Sequence, residues 1–87
     1  MAFHVNWKPS ARDRITEIWI DATDRGQITR ATDIIDEALR TNPETFGESR
    51  SGNLRIAFVL PLAVMFEVFN DDLRVDVLAI LRTDRRR

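Results

Sequence analysis

The sequence predicts a single α+β domain, ordered strand, helix, helix and then three antiparallel strands, and three observations predict it. Apolar and polar residues alternate near the start; two stretches then repeat apolar residues at helical spacing; after Gly52 the chain turns to β-branched and aromatic residues broken by short turns. Its 87 residues hold one domain. At that size roughly 60–65% of the unfolded surface can be buried, so the core has to be compact and well patterned.

The elements follow in order. Phe3, Val5 and Trp7 alternate with His4, Asn6 and Lys8, the period of a short strand with one buried face, and Pro9 ends it. Ser10 is then expected as a helix N-cap, with Asp13 three residues on. Ala11, Ile15, Ile18, Trp19 and Ala22 form one apolar stripe opposite Arg12, Arg14, Glu17 and Asp21. After the connection Thr23, Asp24, Arg25, Gly26, the residues Ile28, Ala31, Ile34, Ile35, Ala38 and Leu39 repeat the pattern, which makes a helical hairpin. The stretch from Thr41 to Gly52 is polar and broken by Pro43 and Gly47, and no regular element fits it. Leu54 to Leu60, Leu62 to Phe69 and Leu73 to Leu81 then read as a meander, parted by Pro61 and by Asn70, Asp71 and Asp72.

Composition narrows the chemistry. There is no cysteine, which excludes a disulfide scaffold, a thiol-ligated metal site and a cysteine nucleophile, and a single histidine, His4, gives neither a zinc site nor a histidine-centred triad. No metal and no cofactor is expected. The N-terminus lacks the charged start and apolar run of a secretory signal, and the run from Ile56 to Phe66 is too short to span a bilayer, so a cytoplasmic location is the expectation. A formal net charge of -1 lacks the basic excess that carries most nucleic-acid affinity. Basic residues gather only in the tail 82–87, where Arg82, Arg85, Arg86 and Arg87 face one acid, Asp84.

Glu67, Asp76 and Arg55 mark the outer face of the meander. On that reading Leu54, Ile56, Phe58, Leu60, Leu62, Val64, Phe66, Val68, Val75, Val77, Ala79 and Leu81 pack on the helices, while Val59, Met65, Phe69, Leu78 and Ile80 stand outside beside Arg55, Glu67 and Arg82. A sheet face open to water is ordinarily polar. Half of this one is apolar, which predicts a surface that binds a partner chain or a second copy.

Several segments, taken in order, carry a family resemblance. Val5-Asn6-Trp7-Lys8-Pro9-Ser10-Ala11 stands at the first strand and helix start, Leu39 to Gly47 at the loop after the helices, Asn53-Leu54-Arg55-Ile56 and Leu62 to Val68 at the middle strands, and Val75 to Arg82 at the last strand. This set, which covers nearly the whole chain, resembles the RelE/ParE superfamily of toxins from bacterial type II toxin–antitoxin modules. The resemblance implies the β-α-α-β-β-β fold and a toxin-like protein held by a cognate antitoxin across its sheet face. It implies two alternative activities: RelE-like members cleave mRNA in the ribosome, and ParE-like members inhibit DNA gyrase. A non-toxic, repurposed module that only dimerises or binds a partner is a third reading.

Cleavage of RNA needs a group to activate the ribose hydroxyl, cations for the charge at phosphorus and a proton donor to the leaving oxygen. The resemblance points to Arg82 and Arg55 as cations, with Glu67 as base and Arg85, Arg86 and Arg87 as nucleic-acid contacts. Ala63 stands where RelE-like enzymes place a third-strand arginine, and the chain has no tyrosine. Both departures weigh against nuclease activity. Trp7 and Trp19 read as core anchors, and His4 has no catalytic partner in the sequence.

Overall fold

The computed structural model of the chain describes residues 2–83. Strand β1 (His4–Trp7) leads into helices α1 (Pro9–Asp21) and α2 (Arg25–Thr41). Strands β2 (Glu48–Ser51), β3 (Leu54–Val59) and β4 (Leu62–Phe69) follow, and a single 3₁₀ turn, Asn70–Asp72, precedes β5 (Arg74–Arg82). All five strands join one sheet in the order β1-β5-β4-β3-β2, with β1 parallel to β5 and the remaining pairs antiparallel. The expected order of a strand, two helices and an antiparallel meander is the observed one.

Two local expectations are corrected. The first helix begins at Pro9, with Lys8 as an N-cap that makes no side-chain hydrogen bond, so Ser10 is not the cap. Proline suits that first position, where its missing N–H would have no helical partner anyway. The stretch expected to hold no regular element contains β2, whose Glu-Ser-Arg-Ser is exposed throughout. Backbone turns create this edge strand without help from an apolar pattern. Gly47, at φ 72°, and Gly52, at φ 56°, adopt left-handed conformations and return the chain alongside β3.

Both helices lie on one side of the sheet. Ala11 and Ile18 of α1 and Ile28, Ala31, Ile35 and Leu39 of α2 are buried against Leu62, Val64, Phe66, Val68, Val75 and Val77, and Val5 and Trp7 pack at the edge. The joint between the helices is held by side chains. Arg25 donates from Nε to the Trp19 carbonyl at 2.9 Å, which also accepts the Ala22 N–H, and from Nη2 to the Ile20 carbonyl at 2.8 Å, capping the last turn of α1. Its guanidinium also stacks over Trp19, 4.6 Å from the ring centroid. Trp19 itself is 43% exposed and donates to the Thr29 hydroxyl at 3.2 Å, so it bridges the helices at the surface and is not the core anchor expected.

Residues paired across strands share a face, and the register corrects the expected faces in two places. In β3, Arg55 pairs with Phe66, Ala57 with Val64 and Val59 with Leu62, so these three point inward and Leu54, Ile56 and Phe58 point outward. The marker that misled is Arg55. Its Nε reaches the Phe46 carbonyl at 3.0 Å and its Nη2 the Gly47 carbonyl at 2.9 Å, so its polarity is satisfied on the inner side by the loop before β2. In β5, Phe66 pairs with Val77 but Met65 with Ala79, leaving Leu78 as the extra residue of a β-bulge. Alternation slips there by one. Ile80 and Arg82 therefore lie on the inner side, whereas Ala79 and Leu81 face outward.

Candidate functional site

The outer sheet face carries no helix, and the register arranges its side chains in rows across the strands. At the end near the Leu60-Pro61 turn, Phe58, Ala63 and Leu81 form one row, and Ile56, Met65 and Ala79 the next. Phe58 is 60% exposed and Leu81 48%, whereas the turn residue Leu60, 74% exposed, lines a pocket with Gln27, Arg30, Ala31 and Ile34 of α2. Phe58 and Leu81, so exposed and in rows beside Ile56, Met65 and Ala79, make an apolar zone on this face.

The opposite end of the face is polar. Leu54, Glu67, Asp76 and Asn6 occupy the third row and Phe69, Arg74 and His4 the fourth. Asp76 is 6% exposed and its carboxylate collects the neighbouring donors: Asn6 Nδ2 at 3.3 Å, Arg74 Nε at 3.1 Å and Lys8 Nζ at 3.8 Å. Arg74 also pairs with Asp72 at 3.6 Å and lies over the Phe69 ring at 4.5 Å. These contacts hold the cations in place. Glu67, directly across from Asp76, has no hydrogen bond or ion pair among the described residues.

Of the residues expected to bind a partner, Met65 and Phe69 stand on the outer face. Val59 packs against the core, Ile80 is 3% exposed within it, and Leu78 lines a cleft of about 420 Å³ with Ser10, Ala11 and Arg14. Their places on the face are taken by Leu54, Ile56, Phe58 and Leu81. The three residues expected to supply catalysis do not converge. Arg82 makes a bidentate pair with Asp24 on the helical side, Nη1 to Oδ1 at 3.0 Å and Nη2 to Oδ2 at 2.7 Å, and Arg55 is committed to loop carbonyls on that same side. Glu67 lies on the other face, and its position on β4 is roughly 16 Å along the strand from Leu62, which pairs with Arg82. Arg85, Arg86 and Arg87 lie outside the described residues.

Among the described residues, no cluster of His, Asp or Glu has the geometry to hold a metal ion, and no helix is long and apolar enough to cross a membrane. The sequence signal for the missed face residues was ambiguous, since β3 offers apolar side chains on both sides.

No protein-family model matches the sequence, and no curated protein matches it. Solved structures do. A chain of the toxin–antitoxin complex RelBE2 from Mycobacterium tuberculosis aligns with a TM-score of 0.77 at 10% identity, over 94% of this chain and 99% of that one. The isolated E. coli RelE toxin aligns at 0.62 with 13% identity, over 98% and 88% of the two chains. A chain of the chromosomal ParDE toxin–antitoxin system of P. aeruginosa aligns at 0.63 with 15% identity, over 95% and 98%. Sequence identity is low in every case while the alignment spans nearly the whole domain, so the chain has the fold of the RelE/ParE toxins.

Proposed function

We propose that this protein is the toxin component of a toxin–antitoxin pair, held by a cognate antitoxin on the outer face of its sheet. The observation that carries the proposal is the apolar zone around Phe58 and Leu81, which a sheet face meant for water would not expose. The fold supports it, because solved structures with the same fold include toxin–antitoxin complexes. Covering that zone removes apolar area from water at about 25 cal/mol per Å², the ordinary driving force of a stable complex.

The cellular target is a protein or a component of translation or replication. An RNA-cleaving site finds less support, because Arg82 and Arg55 are engaged on the helical side and Glu67 lies across the sheet from them.

Expression tests the proposal directly. Induction of the chain alone should arrest growth, and co-expression of a small protein encoded beside it should relieve the arrest and co-purify with it. Phe58→Ser with Leu81→Ser should keep the fold and abolish co-purification. Normal growth on induction, with no protein captured from the adjacent frame, would reject the toxin reading. Cut mRNA during arrest would assign ribonuclease activity, and a DNA-damage response would assign gyrase as the target.

A further inference from the structure

The segment that covers the outer face has to bring its own positive charge. Glu67 lies between Leu54 and Asp76 across the strands and between Met65 and Phe69 along β4, so a chain seated on the apolar zone and extending along β4 covers its carboxylate as well. A carboxylate taken out of water without a counter-charge is unfavourable, because nothing replaces its lost hydration.

Nothing on the described part of the face can neutralise it. Lys8 and Arg74 converge on Asp76, Arg74 further pairs with Asp72, and Arg50 lies 3.9 Å from Glu48 on β2. These are three cations against three paired carboxylates and Glu67. The residue opposite Glu67 is itself an acid, so the site favours a cation and repels an anion.

From this we infer, building on the docking role proposed above, that the occupant is a protein segment in which apolar side chains meet Phe58, Ile56, Met65 and Leu81 while an adjacent lysine or arginine seats on Glu67. A second copy of the chain supplies no uncommitted cation from the described face, and a nucleic acid supplies further negative charge. Both therefore fit less well than a basic and apolar peptide.

A random peptide library displayed on phage and selected against the purified chain tests this, with the enriched peptides measured by titration calorimetry. Enriched sequences should carry Lys or Arg next to apolar residues. Glu67→Lys should weaken them about tenfold or more, Glu67→Gln less, and Phe58→Ser should abolish binding while the circular dichroism spectrum is unchanged. Enrichment of acidic or uncharged peptides, or unchanged affinity in Glu67→Lys with loss in Phe58→Ser, would overturn the charge requirement and leave the docking face standing. If Phe58→Ser also binds as the wild type does, the docking face itself is wrong. Self-association removed by Phe58→Ser in sedimentation, or oligouridylate binding weakened by Arg74→Ala, would likewise overturn the inference in favour of a second copy or an RNA.

Discussion

The pair between Arg82 and Asp24 ties the last strand to the joint of the helical hairpin, and its removal separates a structural role from a catalytic one. The two side chains are 18% and 28% exposed and meet through two parallel hydrogen bonds. An exposed ion pair contributes about 0.2–1 kcal/mol and breaking a buried one costs about 3–5 kcal/mol, so this partly screened, bidentate pair should show a coupling energy of about 1–2 kcal/mol. For a domain of this size that corresponds to a fall in melting temperature of roughly 4–15 °C. A double-mutant cycle of Arg82→Ala and Asp24→Ala, read by urea denaturation, measures the coupling free of the loss of either side chain's own packing. Arg82→Lys should recover less than half of it, because an ammonium cannot reproduce the planar fork. A coupling below about 0.3 kcal/mol would refute the structural role. A loss of toxicity in Arg82→Ala but not in Asp24→Ala, at equal stability, would return Arg82 to the chemistry.

Other variants test the register and the turns. Ile80→Ser and Leu81→Ser change neighbours on opposite faces, one 3% and the other 48% exposed; denaturation should show a loss of about 2–4 kcal/mol for the first and under about 1 kcal/mol for the second. Equal losses would place the β5 bulge elsewhere. A Cβ added at Gly47 would meet the Ile56 carbonyl oxygen and come within 2.7 Å of the Ala57 Cβ, whereas one at Gly52 meets nothing. Gly47→Ala should therefore cost about 3 kcal/mol or more by denaturation, and Gly52→Ala only the left-handed backbone penalty of about 1–2 kcal/mol. Asp76→Ala should release Lys8, Arg74 and Asn6 and destabilise by about 1–3 kcal/mol, with the Arg74 side-chain resonances in NMR losing their dispersion.

Local chemistry made the helical hairpin and β4 legible. The stripe Ile28, Ala31, Ile35 and Leu39 lies on the buried side of α2, and Leu62, Val64, Phe66 and Val68 all point into the core, because one polar and one apolar side leave a single way to place each element. Glu67 was a sound marker for β4, since its partners Leu54 and Asp76 share the outer face.

The sequence by itself determined the order of the elements and most of each helix's buried stripe, with Trp19 and Ile34 exposed where they were expected inside, since both follow from periodicities of 3.6 and 2 residues. Tertiary structure decided the orientation of β3, the far half of β5 and the existence of β2. Leu54, Ile56 and Phe58 compete with Ala57 and Val59 for the core, and the tie was settled by small Ala57 fitting beneath Gly47 while Arg55 found carbonyl acceptors in the preceding loop. The bulge at Leu78 left no trace in composition, yet it turned Arg82 from the open face toward Asp24, a residue 58 positions away. Contacts between residues so distant along the chain exist only once the sheet and helices have closed on each other, and they set which residues remain on the surface to be bound.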